Sequence, residues 1–83
     1  MTKEDVLSQV ADIIRDVLDQ PDLQITTATS ADEVEGWDSF NHINIVVATE
    51  ASFHVKFNTA EVEELKNVGE LVDLVLRRLA AKK

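Results

Sequence analysis

Hydrophobic residues recur at helical spacing in two stretches near the ends of the chain, and a less regular apolar stretch lies between them. Val6, Val10, Ile13 and Val17, with Leu7, Ile14 and Leu18 beside them, follow the repeat of one helix face. A helix is predicted from Lys3 to Leu18, with Glu4, Asp12, Arg15 and Asp16 on its wet side. Thr2 is placed as N-cap, and Asp5 three residues on approximates a capping box. Pro21 closes the helix. Residues 19–38 then carry only Leu23, Ile25 and Val34 among Thr, Ser, Asp and Glu. Loops of this length are uncommon in compact domains and are usually functional or disordered. Those three apolar residues can pin it to a bundle, so an ordered loop is expected, with a helical turn near residues 31–34.

A second helix is predicted from Ser39 to about Phe53, and on a helical wheel its hydrophobes fall into two stripes. Ile45, Val46, Thr49 and Phe53 form one; Phe40, Ile43 and Val47 form the other, which Glu50 continues. A surface helix needs one stripe. Either both face core, in a bundle that surrounds its central helix, or the Phe40 stripe is an exposed patch. The connection His54-Val55-Lys56-Phe57 should turn Val55 and Phe57 inward. A short third helix is predicted over residues 59–65, capped by Asn58 with Glu61 completing a capping box, and anchored by Ala60, Val62 and Leu65. Such a helix is marginal alone. Asn67 caps a fourth helix, Glu70 answers three positions on, and Val68, Leu71, Val72, Val75 and Leu79 make its apolar face. The fold class is all-α: a small four-helix bundle with a long loop between helices 1 and 2 and a short third helix.

The chemistry concentrates where the second helix opens, at Gly36-Trp37-Asp38-Ser39-Phe40. Ser39 stands where an N-cap belongs, so its hydroxyl is expected at the positive end of a helix dipole. The first amides of a helix have no partner inside it and suit a phosphate. At these residues the chain resembles the acyl carrier protein family, whose pattern is Gly-x-Asp-Ser-Leu or a close variant, opening a helix that ends in an acidic residue and a Phe. Here Glu50 and Phe53 stand at matching distances, and residues 58–65 fall where the family has its short third helix.

The resemblance implies that Ser39 carries phosphopantetheine as a phosphodiester, and that the thiol of this arm holds acyl or aminoacyl groups as thioesters. It further implies that Asp38, Phe40, Ile43, Val47 and Glu50 meet partner enzymes, and that an acyl chain enters between the second and third helices against Val46, Phe57, Val62 and Leu65. Those four residues are equally readable as permanent core. The implied partners are a phosphopantetheinyl transferase, with Asp38 helping it to dock or lying near its magnesium, and the acyl-loading and acyl-transfer enzymes. The chain itself is expected to make no bonds. Its second helix departs from a strongly acidic family pattern: Asn41, His42, Asn44, Ala51 and Ser52 occupy much of it and only Glu50 is charged, and beyond it Lys56 puts a positive charge where carriers often have an acid. The expected role is in fatty-acid or related lipid or secondary-metabolite biosynthesis, and these departures point to a specialised carrier rather than the central one of fatty-acid synthesis.

Composition bounds these readings. Eighty-three residues without cysteine make one small domain, residues 1–83, with a self-sufficient core of marginal stability. Sixteen acidic against eight basic residues give a net charge of −8, which disfavours nucleic acid and anionic membrane and favours partners with basic docking surfaces. The start, Met1-Thr2-Lys3-Glu4-Asp5, has no signal-type apolar core, and no run approaches the roughly 20 residues of a membrane span. A soluble, cytoplasmic monomer without membrane insertion is expected.

Other chemistries fit less well. Ser39 and His42 lie three apart on one helix and could form a nucleophile pair, but no orienting acid or oxyanion hole accompanies them. Asp32, Glu33, Glu35 and Asp38 gather carboxylates near Gly36, yet the spacing fails the EF-hand loop, so only loose divalent counter-ions and no dedicated metal site are expected. Arg77, Arg78, Lys82 and Lys83 read as a solvated helix end that complements the dipole, not as a nucleic-acid surface. Trp37 reads as a packed loop residue or a recognition anchor. A distinct alternative is an unmodified acidic helical adaptor of carrier fold that docks partners through Phe40, Ile43 and Val47.

Overall fold

The computed structural model describes residues 2–81. Four helices occur in chain order: α1 (Lys3–Leu18), α2 (Ser39–Phe53), α3 (Thr59–Glu63) and α4 (Val68–Ala81), with a 3-10 turn, Ala31–Glu33, in the long loop. The described residues contain no strand. The all-α bundle expected from the pattern is therefore the observed one.

α1 forms for the reasons its sequence states. The Thr2 hydroxyl accepts the Asp5 amide while the Asp5 carboxylate accepts the Thr2 amide, so the capping box is complete. The helix ends where Asp19 turns left-handed, at φ 54, and hands its own N–H to the carbonyls of Arg15 and Asp16. Val6, Val10 and Ile14 are fully buried and share one core with Ile45 and Phe53 of α2 and with Val68, Leu71, Val72 and Val75 of α4. Each such side chain contributes about 1.5–3 kcal/mol on leaving water. Thr49 is the buried polar member of this face, and its hydroxyl donates to the Ile45 carbonyl at 2.7 Å, so it enters the core satisfied.

The long loop is held by more than its three hydrophobes. Val34 is buried and Leu23 and Ile25 pack against the core, but backbone bonds do the rest. Arg15 Nε donates to the Leu23 carbonyl at 2.9 Å, so Arg15 is not simply a wet residue. The Val68 amide donates to Thr29 O at 2.8 Å and the Gly69 amide to Thr27 O at 2.9 Å. The loop thus satisfies first-turn amides of α4 that would otherwise lack partners. The close approach requires glycine at 69: a Cβ there would stand 2.9 Å from Thr27 O.

Three expectations at helix ends need correction. Asp38, not Ser39, is the N-cap of α2, and Ser39 is its first helical residue. Asp38 takes the cap because its backbone is extended and its Oδ1 accepts the Asn41 amide at 2.8 Å. α3 ends at Glu63 instead of residue 65. The Lys66 amide, which would extend the helix onto Val62 O, donates instead to the Glu70 carboxylate at 3.0 Å, and Ala60 is exposed and anchors nothing. Arg78 is not a solvated end of α4: it donates through Nε to Lys56 O at 2.9 Å and pairs with Glu61. Lys82 and Lys83, from the same basic cluster, lie outside the described residues, as does Met1.

Candidate functional site at the start of α2

Gly36 makes the turn that presents the site, with φ 88, a conformation that favours glycine. Its carbonyl accepts Asn41 Nδ2 at 2.8 Å, so Asn41 is tied twice, once to the turn and once to the Asp38 cap. Because Asp38 does the capping, the Ser39 hydroxyl is spared from it. Ser39 is exposed, and neither its Oγ nor the amides of Ser39 and Phe40 has a hydrogen-bond partner among the described residues. An exposed hydroxyl and free amides therefore stand together at the positive end of a 15-residue helix.

Beside Ser39 opens a cleft of about 650 Å³. Trp37, Asp38, Ser39, His42 and Ile43 form one wall, Val62, Glu63 and Leu65 the other, with Ala31 and Asp32 on the rim. His42 is half-buried, and both its ring nitrogens are engaged. Trp37 Nε1 lies 3.1 Å from His42 Nδ1, and the rings stack with centroids 6.2 Å apart. An indole N–H only donates, so Nδ1 accepts and the proton resides on Nε2, which lies 3.2 Å from Val62 O. Among the described residues no bond joins His42 to Ser39, and a Ser-His nucleophile pair is not formed.

The stripes of α2 separate as two faces. Ile45, Val46, Thr49 and Phe53 are buried, whereas Phe40 is 75%, Ile43 53% and Val47 56% exposed. The possibility that both stripes are core is therefore excluded. Glu50, at the far end of the exposed stripe, is half-buried, and its Oε2 accepts the Phe57 amide at 2.8 Å. Its carboxylate braces the connection to α3. Of the four residues expected to line a chain pocket, Val62 and Leu65 line the cleft with Ser39. Val46 is buried and Phe57 packs against the central core, and neither lines it.

The sequence reading missed the Trp37, His42 and Val62 chain of bonds, and also the Arg78 brace on α3. A Trp five residues before a His across a helix start was the available signal for the first. The second had none, since Arg78 and Glu61 are distant in sequence. In this brace the Asn58 backbone N–H, and after it Arg78, hold the Glu61 carboxyl below the usual carboxylate range.

With this geometry in hand, comparison with known proteins is decisive. The family model described as "Phosphopantetheine attachment site" matches residues 8–75, and a curated acyl carrier protein of Acidothermus cellulolyticus is 33% identical over 75 residues, spanning 90% of this chain and 89% of its own length. This chain belongs to the acyl carrier protein family. The acyl carrier protein of Thermotoga maritima is 28% identical over 78 residues, covering 94% and 96% of the two chains. The solution NMR structure of a holo acyl carrier protein from Geobacter metallireducens superposes with a TM-score of 0.86 at 40% identity, over 93% of this chain and 88% of that one.

An acyl carrier protein is a carrier and not an enzyme, and its covalent group is phosphopantetheine. The residues present fit that group. An exposed hydroxyl and two helix amides with no hydrogen-bond partner among the described residues, beside a cleft with Trp37, Ile43, Val62 and Leu65 along it, suit a phosphodiester-linked arm. Acyl carrier proteins meet a phosphopantetheinyl transferase and acyl-handling enzymes in general. Among the described residues no helix is long and apolar enough to cross a membrane.

Proposed function

We propose that Ser39 is the phosphopantetheine attachment residue and that residues 1–83 act as one monomeric, cytoplasmic carrier domain. The observation that carries this is the unbonded Ser39 hydroxyl at the start of α2, released from capping by Asp38. When bound, the arm supplies a thiol that holds acyl or aminoacyl groups as thioesters. Asp38, Phe40, Ile43 and Val47 form the partner-docking face. Glu50 stands at its edge, committed to the Phe57 amide. Val62 and Leu65 line the space open to the cargo.

The exposed face of α2 is nearly uncharged: Asn41 and Asn44 flank the apolar stripe, and Glu50 is the one charged residue of the helix apart from its cap. Partner recognition there is accordingly apolar more than electrostatic. This supports a specialised carrier in lipid or secondary-metabolite biosynthesis, loaded by dedicated enzymes, over the central carrier of fatty-acid synthesis. The test is Ser39→Ala, which removes one exposed oxygen. It should fold like the wild type by circular dichroism and accept no arm from coenzyme A. A Ser39→Ala protein that still gains the arm refutes the assignment.

A further inference from the structure

α3 has five residues, and side chains of both neighbouring helices clamp it and its flanks. The Glu50 carboxylate of α2 accepts the Phe57 amide just ahead of it, and the Glu70 carboxylate of α4 accepts the Lys66 amide just after it. Arg78 of α4 pairs with Glu61 and donates to Lys56 O. His42 of α2 bonds the Val62 carbonyl, and the Val62 side chain is buried. For an alkyl chain to part α2 from α3, these contacts must give way together. Four residues of the Ser39 cleft, Ala31, Trp37, His42 and Leu65, also line a recess that reaches Leu71 of α4, so they partition the two spaces. The His42 ring is the crossbar of that partition, bonded to the Trp37 indole on one wall and to Val62 O on the other. Behind it the recess holds about 10 Å³, the room of roughly one water. We propose that this carrier keeps short or polar acyl and aminoacyl groups in the open cleft and admits no alkyl chain between its helices, and that His42 sets this limit.

Volume and polarity both favour that cargo. Burial stabilises an alkyl chain methylene by methylene, but only in space that exists or can be made. Behind the partition the core is already filled: Ile45, Val68 and Val72 are 0% exposed. A chain pushed among them overpacks an interior that is close-packed without it. The space beside Ser39 is of another kind, about 650 Å³ and open to water. Its walls set Asp32, Asp38 and Glu63 among Trp37, Ile43 and Leu65. An acyl group with few carbons, or with polar atoms of its own, stays solvated there, whereas a long alkyl chain is left against carboxylates and water. His42 acts in this by the room it fills and the two bonds it makes. It is thus a specificity-determining residue, and the limit it sets rests on the carrier reading of Ser39.

The experiment loads the full chain in one step, with acetyl-coenzyme A or octanoyl-coenzyme A, magnesium and a broad-specificity phosphopantetheinyl transferase, and checks each product by intact mass. Methyl shifts of Val46, Val62, Leu71 and Val72 are then compared by NMR, and thermal unfolding by circular dichroism. In the wild type the octanoyl and acetyl forms should share these shifts, and their unfolding midpoints should agree within about 2 °C. His42→Ala removes the crossbar. Its octanoyl form should displace the Val62 and Leu71 methyls and unfold about 4 °C or more above its own acetyl form. His42→Ser repeats the comparison should the alanine variant not fold. Displaced core methyls in the octanoyl wild type overturn the proposal, and so does a variant whose octanoyl and acetyl forms share one core. A mass gain with a displaced core refutes the cargo limit alone. No mass gain from either thioester is a different failure, that of Ser39 as the attachment residue, and it removes the ground on which the limit stands.

Discussion

Asp38 Oδ1 accepts the Asn41 amide at 2.8 Å, and this one bond determines what the next residue is free to do. A serine that capped its own helix would spend its oxygen on a backbone amide. With the aspartate in that role, Ser39 starts the helix and keeps its hydroxyl exposed and unbonded. The cap and the proposed attachment residue are neighbours with separate duties.

Separating those duties gives a first prediction. Asp38→Asn keeps an oxygen for the Asn41 amide, so its thermal stability should match the wild type while transfer of the arm slows. Asp38→Ala should slow transfer and also cost about 1 kcal/mol of stability, the usual worth of an N-cap. Thermal unfolding and the rate of arm transfer measured on both variants check this; equal stability loss in the two would deny Asp38 its capping role.

The exposed stripe yields the opposite pattern. Phe40→Ser and Val47→Ser remove side chains that already face water, so stability should change by within about 0.5 kcal/mol. Binding to the transferase, read as KM or by titration calorimetry, should weaken by about tenfold or more, as for an aromatic anchor at an interface core. Unchanged binding would remove this face from partner recognition.

Gly69 is fixed by packing and not by φ. Gly69→Ala puts a methyl 2.9 Å from the Thr27 carbonyl, where a backbone atom must move. The loop bond to the first turn of α4 should weaken, with a loss of about 1–3 kcal/mol in urea unfolding. A gain, the ordinary result of replacing a helix glycine by alanine, would contradict the contact.

The Glu61 brace predicts a response to acid. Its carboxyl titrates below the ordinary value because the Asn58 amide, and then Arg78, favour the charged form. A depressed folded pKa means that the stabilisation is present above the ordinary carboxylate value of about 4.3 and is lost as pH falls through the folded value. The Asn58 and Glu61 amides should therefore lose protection below about pH 4. Glu61→Gln should abolish that step. Arg78→Ala should weaken it only in part, since the Asn58 amide is the larger cause.

Much of this was legible in the sequence. The helix count, the Thr2 and Asn58 capping boxes and the buried stripe of α2 follow from spacing and cap chemistry, which are local. The exposure of the Phe40 stripe was not decidable from periodicity, because a second stripe looks alike whether a neighbour covers it or not. Ser39 was recognisable by its motif, but its place one residue inside the helix was not, since serine and aspartate are both good caps and only geometry chooses. The unreadable part is long-range: Thr27 and Thr29 offering carbonyls to α4, and Arg78 reaching Glu61 and Lys56, pair residues whose types are common and whose separation carries no pattern. The end of α3 was missed for a related reason, as Glu70 takes the Lys66 amide from the following helix.

The central claim is that Ser39 carries the arm, and intact mass tests it most directly. The folded chain is incubated with coenzyme A, magnesium and a broad-specificity phosphopantetheinyl transferase, beside a carrier known to be modified, and the product is mapped by peptide. One phosphopantetheine gained, on the peptide containing Ser39, is the predicted result. No gain while the control carrier is fully modified, or a gain on another peptide, would contradict the account and favour an unmodified adaptor that docks partners through Phe40, Ile43 and Val47.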